Sequence, residues 1–318
     1  MNIQEQFFQE LFETMKQQPL PSGMEWKAVE VPRNGGHRKG IAMIGNPTDL
    51  VPVAYPDEYV QKWQEGMPIK AIAGEISRDL LGHAEPLTFD RDSLLKQITP
   101  EYLRTGVVSY EPNKEWLKKI PHERLADLAV YGKIDLGDAS VKVNGQVLSM
   151  LHMTREEMLD CAKQNTGKQV FLDSLNNVMF QMMKESGISP EMAQAMIGKS
   201  KIPDFMVLTT KDRNEGASLI ANTGLMKAIH QKLGEDFYIL PSSIHEVLLV
   251  GKSEFPDSEE VLKKMVQGVN RSTVAPEERL SDEVYKFDGR SIRLAGSGGL
   301  ERDPDHMEPL THRHSRSF

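Results

Sequence analysis

The chain has 318 residues, of which 39% are hydrophobic and 26% charged, with a formal net charge of −8. That length and balance support a packed core in one large domain or two smaller ones and exclude wholesale disorder. The acidic excess argues against general nucleic-acid binding, which needs clustered Lys and Arg against phosphate. The single cysteine, Cys161, excludes an intrachain disulfide and a cysteine-rich zinc site.

The first residues, MNIQEQFFQELFETMKQQ, lack the basic start and continuous apolar run of a signal peptide. No segment approaches the ~20 apolar residues of a membrane span, so a cytoplasmic protein without membrane contact is expected. Ile3, Phe7, Phe8, Leu11, Phe12 and Met15 recur at helical spacing and predict an amphipathic helix docked on the chain's own core. Two strands follow, joined at Asn34-Gly35-Gly36, because Asn-Gly tolerates the positive φ of a tight hairpin. The run LVPVAYP adds a third strand. A helix from Asp57 to Leu81 is interrupted at Gly66-Met67-Pro68, where proline removes a donor and restricts its predecessor.

A second unit opens with a strand at LRTGVVSYEP and a short helix at NKEWLKKI that ends before Pro121. RLADLAVYGKIDL and ASVKVNGQVLSML are expected to pair as strands. Thr154, with Glu157 three residues on, has capping-box spacing and starts a helix. In that helix Met158, Cys161 and Ala162 share a face, so Cys161 reads as core packing and not as a thiol nucleophile. Residues 166–200 are expected to be helical and methionine-rich. Met179, Met182, Met183, Met192 and Met196 either fill core gaps, the commoner use, or form a surface that repacks around varied partners. Ser189-Pro190-Glu191 starts a fresh helix within this stretch.

The third unit alternates strands and helices: DFMVLTT, LMKAIHQKL, DFYIL, IHEVLLV, PDSEEVLKKMVQGVN and VYKFD. Its second helix is expected to turn Val261, Leu262, Met265, Val266 and Val269 inward, with Asp257 and Glu260 at its start. From Gly289 onward periodicity is lost and a mobile tail is expected. The fold class is therefore α+β, with mixed, largely antiparallel units each followed by packing helices. The divisions are an N-terminal region 1–105, a C-terminal region 106–288 holding the insert 166–200, and a tail 289–318. A β-β-α element is a candidate for repetition, because IPHERLADLAVY and PSSIHEVLLV both place proline, then His-Glu, ahead of an apolar strand.

Strong catalytic signatures are absent. NTGKQV lacks the first glycine of a phosphate loop, neither His-Glu pair continues as HExxH, and AGSGG fails the nucleophile-elbow pattern at Ala295. The tail histidines His306, His312 and His314 lack a preorganised second shell for a metal. This leaves His122, Asp127, Ser242, Ser243, His245 and Glu246 as candidate binding positions. Within one strand His245 and Glu246 project to opposite faces, so they do not form an acid–base pair unless the corner distorts the backbone. Structural stitching is the leading reading, ahead of ligand or partner binding and then catalysis. Ser242 and Ser243 read as a turn whose hydroxyls bond locally. Asp127, inside an apolar run, sits on an open face or is paired internally.

Five segments, YPDEYVQKWQEGMPIKAIAGEI, NKEWLKKIPHERLADLAVYG, NEGASLIANTGLMKAI, FYILPSSIHEVLLV and VNRSTVAPEERLSDEVYKFD, occur in this order between Tyr55 and Asp288. Together they resemble the bacterial domain-of-unknown-function family numbered 5688. The resemblance implies proteins of anaerobic gut bacteria, often carried on mobile or conjugative elements, with no assigned activity and no catalytic residues. Its recurrent polar positions fall here on His122, Asp127, Asn214, Pro241, Ser242, Ser243, His245, Glu246, Asn270 and Asp282, which adds Asn270 to the candidates. The expectation is a non-enzymatic protein that binds another protein, with no cofactor, no metal and nucleic acid unlikely. The rival is a hydrolase-like or small-ligand site at the Pro241–Glu246 corner, using His245 with His122 or Ser243.

Overall fold

The computed structural model describes residues 3–45, 53–82, 98–137, 140–198, 205–241, 243–255 and 259–296. Within them the fold is α+β, with three antiparallel sheets and helices packed between and over them.

The N-terminal layer holds α1 (Ile3–Met15), β1 (Glu25–Arg33), β2 (Gly36–Ile44), β3 (Val53–Ala54), α2 (Val60–Gln64) and α3 (Ile69–Gly82). Arg33 pairs with Gly36, which leaves Asn34 and Gly35 as the two-residue turn, and Gly35 takes the left-handed φ of +82° that such turns require. α2 and α3 are separate because the chain breaks at Gly66, φ +101°, ahead of Pro68. The amphipathic helix docks on its own core as expected. Phe7, Leu11 and Met15 pack with Trp26, Ile41, Met43, Ile72, Ile76 and Leu80. Burying each such large apolar side chain stabilises the layer by about 2 kcal/mol on transfer grounds.

The middle unit holds β4 (Leu103–Ser109), α4 (Tyr110–Leu117), β5 (His122–Leu125), β6 (Leu128–Asp135), β7 (Ser140–Lys142), α5 (Gly145–Leu151) and α6 (Arg155–Gly167). β6 pairs with β4 along one side and with β5 and then β7 along the other. Two expectations change here. RLADLAVYGKIDL is a hairpin instead of one strand: Ala126 has a φ of +55°, and Leu125 pairs directly with Leu128. The apolar residues after Lys142 form α5, because Asn144 caps its first turn by accepting the Val147 N–H at 2.9 Å. The Thr154–Glu157 capping box at the start of α6 is present in both directions.

The third unit holds β8 (Val170–Ser174), α7 (Leu175–Glu185), α8 (Pro190–Ile197), β9 (Met206–Thr210), α9 (Thr223–Leu233), β10 (Phe237–Leu240), β11 (Glu246–Gly251), α10 (Glu259–Ser272), β12 (Tyr285–Phe287) and β13 (Ile292–Leu294). Its six strands run in the order β13-β12-β10-β11-β9-β8. Strand β8 interrupts the stretch expected to be wholly helical; its apolar Val170, Phe171 and Leu172 pair with β9. Strand β13 lies in the segment assigned to the tail: Ile292 and Leu294 close a hairpin on β12 and pack on the core. On α10 the inward face is Leu262, Val266 and Asn270, while Val261, Met265 and Val269 face solvent at 49%, 39% and 44% exposure.

The inner faces of the second and third units share one core. Val107, Leu128 and Val130 meet Leu208, Ile239, Val247, Leu249 and Tyr285, with the buried 3-10 turn Gly216–Ala221 between them. The division expected at residue 105 falls inside strand β4. The tip of the first hairpin bonds across this division. Asn34 donates to the Arg279 carbonyl, and the Asn113 amide donates to Asn34 Oδ1 at 2.9 Å. The β-β-α echo is not a structural repeat: His122-Glu123 opens the first strand of its hairpin, whereas His245-Glu246 precedes and begins the second strand of its own.

At the outer end of α9, Asp236 accepts from His230 at 3.2 Å and pairs with Lys286 at 3.2 Å. Burial works against the Asp236 carboxylate, but these two partners outweigh it and hold its pKa below the usual range. A lowered folded pKa gives stability that is complete above the unfolded value of about 4 and fades as pH falls through the folded one. Asp236→Asn is therefore expected to lower the melting temperature at pH 7 and to cost progressively less below pH ~4; melting scans across that range check it.

Candidate functional site

The histidine corner is built by the chain reversal between β10 and β11. Ile244 packs on the same core face as Val247 and Leu249, which breaks strand alternation at His245. Strand β11 begins only at Glu246. The Ser243 hydroxyl accepts the His245 backbone N–H at 2.8 Å, so the serine caps the turn and does not engage the imidazole. The Ile244 N–H donates to the Glu278 carbonyl at 2.8 Å, anchoring the corner to the following loop. Ser242 lies outside the described residues.

The imidazole is engaged from both sides. His245 Nδ1 accepts the Glu215 backbone N–H at 3.3 Å, and Nε2 lies 3.5 Å from Glu278 Oε1. The His245 carbonyl receives the Gly216 N–H at 2.9 Å and the Thr209 hydroxyl at 2.7 Å. Glu246 is exposed and makes no hydrogen bond with His245, and because His245 lies outside β11 the strand alternation expected of the pair does not apply. The neighbouring backbone is strained: Arg213 and Glu215 both adopt left-handed conformations, φ +57° and +48°. At Gly216 a Cβ would stand 2.4 Å from Thr209 Oγ1 and 2.5 Å from the Thr210 nitrogen, so only glycine fits.

Glu215 reaches the polar cluster that composition and spacing did not reveal. Its Oε2 lies 2.8 Å from Lys133 Nζ, a charge pair whose angles are not those of a hydrogen bond. Lys133 is 7% exposed and sits in β6, where every other residue from Leu128 to Ile134 is also buried. Beside it, Thr105 Oγ1 lies 3.0 Å from both Thr166 Oγ1 and Ser218 Oγ, and the Ser218 hydroxyl donates to the Glu215 carbonyl at 3.0 Å. The cleft among these groups holds about 30 Å³, room for water and not for an organic substrate. The one signal in the sequence was a lysine inside an apolar run, opposite an Asn-Glu-Gly string.

Two further candidates are ties of the same kind. Asp127 stands in the β5–β6 turn and accepts from the Ser281 hydroxyl at 2.9 Å and from the Tyr285 phenol. Burial, followed by the Asp127 charge, pushes the phenol far above its ordinary pKa, so Tyr285 remains a donor. Asp127 thus joins the second and third sheets, which resolves it as internally paired. Asn270 is 2% exposed and donates to the Ser281 carbonyl at 3.0 Å and Asp282 Oδ1 at 2.7 Å, while its own Oδ1 has no partner. His122 stands apart from both: its Nδ1 contacts the Ile120 carbonyl at 3.0 Å, its carbonyl receives Arg155, and no contact joins it to Asp127 or His245. Cys161 is half-buried against the α5–α6 core, with its Sγ 3.5 Å from the Pro100 carbonyl. The histidines of the tail lie outside the described residues.

A different surface is open. Helices α7 and α8 form a hairpin in which Ala193 alone is buried. Met182, Met192 and Met196 stand 52%, 61% and 51% exposed, so these three do not fill core gaps. An open groove of about 380 Å³ runs between the helices, lined by Asp173, Asn176, Asn177, Phe180, Gln194 and Ile197 among others.

A family model described as a family of unknown function, DUF5688, matches residues 4–289. The chain belongs to DUF5688. No curated protein and no solved structure matches it. The match runs through the Met-rich hairpin, so in this DUF5688 chain that segment lies within the family region, as do the histidine corner and the Lys133 cluster. Among the described residues, no helix is long and apolar enough to cross a membrane.

The Lys133–Glu215 pair predicts a non-additive pattern. Breaking a mostly buried pair by removing one partner leaves an uncompensated charge, which costs about 3 kcal/mol or more. Lys133→Met alone is expected to lower unfolding free energy by that order, and Lys133→Met with Glu215→Gln to recover a large part. Urea titrations of the parent and the two variants check it.

Proposed function

We propose that this DUF5688 member is a non-enzymatic, protein-binding protein, and that the binding serves a bacterial mobile element, the setting its family resemblance implies. The observation that carries the reading is the α7–α8 hairpin: two helices that bury only Ala193 and present Met182, Met192 and Met196 to solvent. Past Leu175, none of the hairpin's residues joins any of the five apolar core clusters except through Ala193's own burial. Exposed apolar surface of this kind marks a binding face in a folded protein. Flexible thioethers adapt to a partner's shape at low conformational cost.

The polar groups at the Pro241–Glu246 corner support the same reading from the other side. A nucleophile–base pair needs the serine hydroxyl on the imidazole, and Ser243 is instead engaged by the His245 backbone N–H. The imidazole is occupied by the Glu215 N–H and Glu278.

The test is affinity capture from native lysate with the full chain as bait, beside Met192→Lys/Met196→Lys. Both methionines are exposed, so the double variant should melt within a few degrees of the parent. The expected result is a reproducible partner retained by the parent and lost from the variant. An unchanged capture profile, or repeated capture of nothing, contradicts the proposal.

A further inference from the structure

We infer that the free edge of β8 takes up an extended segment of another polypeptide as an added antiparallel or parallel strand, with the carboxamide-lined groove beside it receiving that segment's side chains. This rests on the protein-binding reading above and supplies its mode.

The ladder between β8 and β9 has a fixed parity. The Lys211 N–H donates to the Gln169 carbonyl at 2.8 Å, and the Leu175 N–H to the Phe205 carbonyl at 2.7 Å. Bonded pairs alternate along an antiparallel ladder, so Phe171 and Asp173 also face β9, opposite Thr209 and Val207. Val170, Leu172 and Ser174 therefore turn their backbone N–H and C=O groups away from β9, toward the sheet's outer edge. Strand β8 ends the six-stranded order, with no strand beyond it among the described residues.

These outward groups are treated unequally. The Ser174 N–H is satisfied by Asp173 Oδ1 at 2.7 Å, and that oxygen also accepts the Asn177 amide at 2.9 Å. The N–H and C=O groups of Val170 and Leu172 have no hydrogen-bond partner among the described residues. All five residues of β8 are half-buried, so the edge is reachable while its faces are largely covered. The strand carries neither proline nor lysine, the usual means of blunting an edge.

The adjoining groove selects what such an edge binds. It begins at Asp173 in β8 itself and continues past Asn176, Asn177, Gln181 and Gln194 to Phe180 and Ile197. Side-chain amides match peptide N–H and C=O groups as both donors and acceptors, and the one charged lining residue, Asp173, already accepts the Ser174 N–H and the Asn177 amide. The aromatic and aliphatic residues give an apolar seat for an alternate side chain. An extended peptide, with backbone groups for the edge and every second side chain toward the groove, satisfies both at once.

The test uses peptides of about ten residues, selected from a random display library against the full chain. Amide exchange is then followed by NMR with and without the selected peptide. The expected result is that saturating peptide slows exchange at Leu172 by roughly tenfold or more, and at Val170 in parallel, while Phe171 and Asp173, already in the ladder, change little. Leu172→Pro deletes the outward N–H without removing a ladder bond and is expected to weaken peptide binding by about tenfold. Should that variant fail to fold, the exchange pattern of the parent decides. Peptides that bind and lose affinity on Met192→Lys/Met196→Lys, yet leave Val170 and Leu172 unprotected, overturn the edge mode and leave protein binding standing. Protection of the two amides by a second copy of the chain, seen as a dimer without peptide, overturns it as well. A library that yields no binder overturns both readings.

Discussion

Glu215 is the residue on which the rest of the architecture turns. Its left-handed backbone is an unfavourable conformation for a side chain with a Cβ, costing on the order of 1 kcal/mol or more. Three contacts offset that cost: the imidazole of His245 takes its N–H, the Ser218 hydroxyl takes its carbonyl, and Lys133 takes its carboxylate. Those partners come from β6 of the second unit, from the corner before β11 of the third, and from the buried 3-10 turn between the sheets. One strained residue thereby holds the register of two sheets. Gly216 completes the arrangement because no side chain fits between Glu215 and the β9 backbone.

The same logic accounts for the many polar groups that lie in this core. Burying a polar group costs roughly 1–3 kcal/mol unless it is paired. Asp127 with Ser281 and Tyr285, Asn270 with Asp282, and Thr105 with Thr166 and Ser218 bond to one another across elements, although Asn270 Oδ1 itself has no partner. Such ties fix one packing of the sheets where apolar contacts alone would allow sliding. The apolar surface that the ties leave uncovered is on the opposite kind of element, the exposed α7–α8 hairpin and the outer stripe of α10. Stability falls to the polar ties, and the proposed recognition uses those exposed surfaces and the edge of β8.

The elements with strong local signals were legible from the residues alone: the Asn34-Gly35 turn, the break at Gly66-Met67-Pro68 and the Thr154–Glu157 box. What failed was decided by single residues with longer-range consequences. Ala126 adopts positive φ in a string that otherwise reads as one strand, because Leu125 and Leu128 pair across it. Asn144 converts an alternating Val/Leu run into a helix by capping it. Val261, Met265 and Val269 are apolar at helical spacing, yet they lie on the solvent side of a helix whose buried face is Leu262, Val266 and Asn270. The candidate list found His245 and Asp127 but missed Lys133 and Glu215, since a pair 82 positions apart has no local pattern. It also grouped His122 with His245, which the topology keeps on separate elements.

Whether His245 and Lys133 act as one unit through Glu215, which neither replaces, is open to direct measurement. A double-mutant cycle with His245→Gln and Lys133→Met, read by equilibrium urea unfolding, isolates their coupling. Because both support the same strained residue, the double variant should lose less than the two single losses combined, by about 1 kcal/mol. Additive losses would contradict the account and leave the histidine corner independent of the inter-sheet tie.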